Sequence, residues 1–173
     1  MEISSFKLSL GDTALSFDSF NIEEDKINII IGESGSGKTS VLRYLIGCFT
    51  DDQILDGCFV SAENFFLFKN IFKNFDLNDP NFLRYYSDLF NENLNFFEKH
   101  DTESLSFGQR TRFKLIRSAL SSKKIILYDE PTHGLDQDTK KRVISFFKEL
   151  NKSKILIIAS HDSDLINISE NVI

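Results

Sequence analysis

The sequence predicts an α/β layer fold: a mostly parallel sheet with an N-terminal antiparallel edge and a small helical subdomain. Three observations predict it. Short apolar, β-rich runs recur at 27–31, 54–60, 124–128 and 154–159, as expected of strands buried on both faces. Apolar residues at helical spacing fill the intervals between those runs. The opening runs, 3–10 and 14–22, alternate instead and are joined at Gly11-Asp12, a hairpin signal.

The elements follow in order. The hairpin is expected at an edge of the sheet. The run 26–31 leads into a glycine-rich loop. Residues 39–49 then read as a helix, with Val41, Leu42, Leu45 and Ile46 at helical spacing. The strand at 54–60 is followed by 69–100, a stretch of different character. It is rich in Phe, Tyr, Asn and Leu and poor in Gly, and is read as the helical subdomain. Ser106 and Gln109 have capping-box spacing ahead of a helix at 110–120. The apolar strand at 124–128 ends in Asp129-Glu130-Pro131. A helix at 137–151 carries Val143, Phe147 and Leu150 on one face, and a short helix at 162–168 follows the last strand.

The glycine-rich loop is Gly32-Glu33-Ser34-Gly35-Ser36-Gly37-Lys38-Thr39. It matches the P-loop pattern, and its setting between strand and helix is the one that pattern requires, so the fold class narrows to a P-loop NTPase. The glycines let successive backbone N–H groups turn inward around phosphate oxygens. The helix that follows presents its positive end to the anion. Lys38 is expected to reach the β- and γ-phosphates, and the Thr39 hydroxyl to ligate Mg²⁺. With Ser40, these residues form the candidate nucleotide-binding stretch. Asp129 is the second candidate Mg²⁺ ligand. Glu130, one residue on, is placed to polarise the attacking water.

Further motifs lie in order along the chain: Leu105-Ser106-Phe107-Gly108-Gln109, then Ile125 to Glu130, then Gly134-Leu135-Asp136, then His161 after the last strand. With the P-loop, these make the chain resemble the ATP-binding cassette (ABC) ATPases over most of its length. They are similar to the Walker A motif, the signature, Walker B with its glutamate, the D-loop and the switch histidine. The resemblance implies that two domains pair head to tail and share two ATP molecules. The Walker A loop of one would then face the signature of the other. Ser106, Gly108 and Gln109 would aim donors at the partner's γ-phosphate. Asp136 would lie at the dimer seam, and His161 would contact the γ-phosphate beside Lys38 and Glu130. It further implies ATP and Mg²⁺ as cofactors, a homodimer or a second ABC ATPase subunit as partner, and an integral membrane transporter subunit driven by hydrolysis. A soluble non-transport ABC ATPase and a nucleotide-gated binding module with weak hydrolysis are the alternatives. The whole of 1–173 is read as one such domain, with a helical subdomain at about 64–107.

The chain departs from the family pattern in several places. Phe107 stands where the signature usually has Gly. The usual Gln before the helical subdomain aligns either with Glu63, which would bind Mg²⁺, or with Ala62. The adenine-stacking aromatic aligns with Leu8, with Phe6 on the same strand face. Only 24 residues separate Lys38 from Glu63, fewer than is usual. Phe65, Phe66, Phe68, Phe72 and Phe75 either line a groove for a membrane subunit or form the subdomain's own core.

Composition bounds the rest. Length suits one domain, and 41% hydrophobic residues allow a full core. A net charge of −6 and the lack of an extended Lys/Arg cluster disfavour nucleic acid as the main ligand. Cys48 and Cys58 fit no metal pattern and are read as reduced. No apolar run approaches the roughly 18 residues of a membrane span, so the expected location is cytoplasmic, with any contact to the inner face of a membrane made through a partner.

Overall fold

The computed structural model describes residues 1–10, 13–49, 54–61, 66–98 and 100–173. The Gly11-Asp12 turn, Ala62, Glu63 and Phe65 lie outside the described residues.

The N-terminal strands form two antiparallel ladders beside the main sheet. Strand β1 (Glu2–Ile3) pairs with β4 (Phe20–Asn21), and β2 (Phe6–Leu10) pairs with β3 (Thr13–Phe17), Leu10 facing Thr13. The sequence predicts two unbroken strands. The structure breaks them at Ser4-Ser5 and Asp18-Ser19, where short polar side chains compete for backbone hydrogen bonds.

The main sheet has five parallel strands. Its order is β6 (Gly57–Val60), β7 (Ile125–Asp129), β8 (Ile155–Ala159), β5 (Asn28–Ile30) and β9 (Asn171–Val172). Strand alternation divides its side chains between two buried layers. Ile126, Tyr128, Leu156 and Ile158 face a core shared with α2 (Pro80–Leu89), α3 (Phe107–Ala119) and α4 (Gln137–Leu150). Leu127, Ile155, Ile157 and Ala159 face Val41, Leu42 and Leu45 of α1 (Lys38–Leu45) and Ile3 and Ile22 of the N-terminal ladders. A last short helix, α5 (Ser163–Ile166), precedes β9. Strand β9 escapes sequence reading because two residues are too few to show a period.

Two helices differ in extent from the sequence reading. Helix α1 stops at Leu45 because Gly47 (φ 80°) takes the left-handed conformation that ends helices. Helix α3 begins at Phe107 because Ser106 is itself the N-cap. The segment 69–100 holds α2 between 3₁₀ turns at Ile71–Asn74 and Leu94–Phe97. Its aromatics mostly serve its own core. Phe82 and Phe97 are fully buried with Phe113. The Phe75 ring lies 5.1 Å from that of Phe82, and the Phe90 ring 4.6 Å from that of Phe113. Phe66 and Phe72 pack against the same cluster, while Phe68 and Leu67 are exposed. Of the cysteines, Cys48 is exposed and Cys58 half-buried; both are free, and burial pushes the Cys58 thiol up. Among the described residues, no helix is long and apolar enough to cross a membrane.

Candidate functional site

The P-loop leaves the C-terminal end of β5 and opens α1, at the end of the sheet where ligands of α/β folds bind. Gly37 caps α1 at φ 97°, a conformation that favours glycine. A Cβ there would stand 2.8 Å from Leu15 Cδ1 and 3.3 Å from Phe17 Cζ. Strand β3 thus lies directly against the loop. Lys38 is nearly buried, and its Nζ donates to the carbonyls of Gly32 (2.9 Å) and Glu33 (3.0 Å). Buried ammonium groups need such partners. Ser34 and Ser36 are exposed on the loop, and Ser40 is half-buried in the first turn of α1.

Thr39, the next residue, donates from Oγ1 toward Asp129 Oδ2 and Oδ1, at 2.9 and 3.1 Å. Helix α1 crosses β7 and β8, and this brings Thr39 to the end of β7. Burial holds the Asp129 carboxyl above its ordinary range. The nearby Glu130 carboxylate adds to that effect, and the Thr39 hydroxyl and nearby basic groups oppose it. A hydroxyl and one under-compensated carboxylate form an all-oxygen donor set that fits Mg²⁺. That ion keeps several waters and takes its other ligands from substrate phosphates. Among the described residues, no cluster of three or more His, Cys, Asp or Glu side chains occurs. Glu63, the third candidate metal ligand, lies outside them.

Glu130 has φ 47°, a left-handed conformation that costs on the order of 1–3 kcal/mol for such a residue. The turn swings its carboxylate over the P-loop. Oε1 lies 2.8 Å from His161 Nδ1 and 3.6 Å from Lys38 Nζ. Oε2 accepts a 2.8 Å hydrogen bond from Ser160 Oγ. Ser160 is fully buried, and its Oγ also accepts the backbone N–H of Asp162. The Asp162 carboxylate in turn accepts from Thr132 Oγ1 (2.7 Å) and pairs with Lys140 (2.9 Å). Sequence reasoning missed Ser160. The only available signal was a small hydroxyl residue between an apolar strand and His161.

Ser106, Gly108 and Gln109 form the N-terminus of α3. Ser106 Oγ accepts the Gln109 N–H (3.2 Å), and Gln109 Oε1 accepts the Ser106 N–H (2.9 Å). This is the capping box that their spacing predicts. Both side chains bond within the turn and to none of residues 32–40 of the same chain. Asp136 is exposed and caps α4. It accepts the N–H groups of Asp138 and Thr139 and the Thr139 hydroxyl. At the expected base-stacking position, Leu8 is buried. The neighbouring Phe6 ring is stacked between Tyr44 (centroids 3.9 Å apart) and Phe17 (5.0 Å).

No protein-family model matches the chain. Curated relatives match most of it. The probable ABC transporter ATP-binding protein p29 of Mesomycoplasma hyorhinis is 27% identical, over 85% of this chain and 74% of its own length. The lipoprotein-releasing system ATP-binding protein LolD of Buchnera aphidicola is 28% identical, over 89% of this chain and 82% of its own length. Among solved structures, the post-hydrolysis dimer of the ATP-binding cassette MJ0796 bound to ADP and Pi (the Methanocaldococcus jannaschii protein) superposes with a TM-score of 0.74. It is 22% identical, with 98% of this chain and 90% of that chain covered. The chain is similar to ATP-binding cassette proteins over most of its length and shares their fold. The chain carries the five motifs that resemble that family's in order, and its structure brings Lys38, Thr39, Asp129, Glu130 and His161 to one end of the sheet. The Ser106 and Gln109 side chains bond to each other's backbone N–H groups and to no member of that group.

Proposed function

We propose that the cassette binds ATP with Mg²⁺ and hydrolyses it at sites shared between two cassettes, and that this cycle drives an integral membrane transporter subunit. The second cassette is an identical copy or a related subunit. One observation carries the reading. Glu130 meets His161 at 2.8 Å and Lys38 at 3.6 Å, beside Thr39 and Asp129, while Ser106 and Gln109 bond only within their own turn. A site complete in its base and cradle, with its signature donors turned elsewhere, calls for donors from a second cassette. The relative named as a probable ABC transporter ATP-binding protein supports the membrane partner.

The roles divide as follows. Gly32, Glu33, Ser34, Gly35, Ser36, Gly37 and Ser40 surround the triphosphate with backbone and hydroxyl donors. Lys38 leaves the Gly32 and Glu33 carbonyls for the terminal phosphates. Thr39 and Asp129, joined by Glu63, hold Mg²⁺, which supplies neutralisation of charge on the phosphate oxygens. Glu130 orients a water and accepts its proton as the water oxygen attacks the γ-phosphorus. The bond from that phosphorus to the bridging oxygen breaks, and ADP and phosphate leave. His161 contacts the γ-phosphate and fixes the Glu130 carboxylate. The partner's signature turn, through the positions held here by Ser106, Gly108 and Gln109, binds the γ-phosphate, and Asp136 lies near the seam. Residues 1–173 act as one ATPase domain, with about 64–107 as the helical subdomain.

Two assays test the reading. The purified chain is expected to release phosphate from ATP only with Mg²⁺ present. Isolated from its source cells, it is expected to co-purify with an integral membrane protein. ATPase activity without a membrane partner would favour a soluble role, and an absence of ATP binding would refute the reading outright.

A further inference from the structure

We propose that Phe107 is a positioning residue. It fastens the turn carrying Ser106, Gly108 and Gln109 to the loop that follows Glu130, and so makes the two shared sites of a cassette pair respond together. The proposal rests on the shared-site reading above.

Phe107 is the first residue of α3, directly after the Ser106 cap. Its ring does not fold into the core; half of its surface is exposed. The buried half lies against Gly134. A Cβ on Gly134 would stand 3.4 Å from Phe107 Cε1 and 3.5 Å from Cδ1. The next residue repeats the contact, since a Cβ on Gly108 would stand 3.4 Å from Leu135 Cδ2. Two consecutive residues of the turn are therefore in register with two consecutive residues of the loop. The ring also borders a small pocket together with Thr111, Leu115, Glu130 and Pro131, which places it beside the Glu130 turn.

The loop has little slack of its own. His133 N–H donates to the Glu130 carbonyl and Leu135 N–H to the Thr132 carbonyl, both at 3.2 Å. Successive turns thus link Gly134 to the strained Glu130 backbone. In a head-to-tail pair, the turn of one chain serves the partner's triphosphate, while Glu130 serves the chain's own. Phe107 bridges these two halves within one chain. Glycine, the usual residue at this position of the signature that the chain resembles, could not make the bridge.

Steady-state Mg-ATPase rates across ATP concentrations, with calorimetric ATP affinity, test this on the unaltered chain, Phe107→Ala and Phe107→Leu. Truncation to Ala is expected to cut kcat about tenfold and to bring the Hill coefficient from above one to about one. ATP affinity of the isolated chain is expected to stay within about twofold. Leu, which still reaches Gly134, is expected to restore most of both losses. A second variant, Gly134→Ala, strains the left-handed backbone of the loop (φ 70°) against which the ring rests and is expected to lower cooperativity from the other side. The proposal is overturned if Phe107→Ala keeps or exceeds the parent's kcat and Hill coefficient. It is also overturned if Gly134→Ala leaves cooperativity untouched. Failure of the unaltered chain to bind ATP would instead sink the shared-site reading, and Phe107's role with it.

Discussion

Removing the Ser160 hydroxyl tests how the Glu130 carboxylate is held. Ser160 is fully buried and makes two hydrogen bonds from one oxygen. It donates to Glu130 Oε2 at 2.8 Å and accepts from the Asp162 N–H at 3.1 Å. A bond to a charged group is worth about 1.5–3 kcal/mol and a neutral one about 1 kcal/mol. The Glu130 side chain is 26% exposed, so water takes up part of the first loss. Ser160→Ala is therefore expected to lower stability by about 1–2 kcal/mol, read from the urea midpoint at unchanged slope. The larger effect falls on turnover. With His161 and Lys38 left to hold only its Oε1, the carboxylate samples positions that do not face the reacting water, and kcat is expected to fall about 10- to 100-fold. The KM for ATP is expected to change less than about threefold, because the phosphate cradle is untouched. Ser160→Thr keeps the hydroxyl and is expected to recover most of the rate. An unchanged kcat in Ser160→Ala, or a loss lying wholly in KM, would refute the idea that this serine aims the base.

Three other substitutions probe the site and its support. Lys38→Ala is expected to abolish ATP binding in calorimetry, since it removes the one cation of the loop 32–39; unchanged affinity would remove the cradle assignment. Gly37→Ala meets both a left-handed backbone (φ 97°) and a contact 2.8 Å from Leu15 Cδ1. Backbone strain of about 1–2 kcal/mol and overpacking of about 1–3 kcal/mol should lower the thermal midpoint and ATP affinity together. Tyr128→Phe removes a buried 2.8 Å hydroxyl contact with Ser118. It is expected to cost about 1 kcal/mol in chemical denaturation and to leave ATP affinity alone, because that contact lies on the sheet face opposite α1.

Motifs were the most legible part of this chain, because each has a local physical cause. A glycine-rich turn between strand and helix makes the P-loop, an apolar strand ending in two acids makes the Asp129-Glu130 pair, and Ser106 with Gln109 makes the capping box. The α/β class was equally plain, since the strands at 27–31, 124–128 and 154–159 are predominantly apolar, as burial on both faces demands. What stayed hidden depends on contacts distant in sequence. Strand β9 exists only because Asn171 and Val172 lie alongside β5. Ser160 gains its importance from a carboxylate 30 residues away in the chain. The fate of Phe6 was equally invisible: Tyr44 and Phe17 come from separate elements to enclose its ring. The breaks at Ser4-Ser5 and Asp18-Ser19 were readable from residue type, but a dominant alternation masked them.

The central claim is that the triphosphate is gripped from two chains. Light scattering on Glu130→Gln, with and without Mg-ATP, measures it most directly. A mass that rises from 19.9 kDa to about double on adding Mg-ATP, and that stays at the lower value when Ser106→Arg is also present, is the predicted result. A mass that remains at the single-chain value while calorimetry shows ATP bound would contradict a shared site built from two copies of this chain.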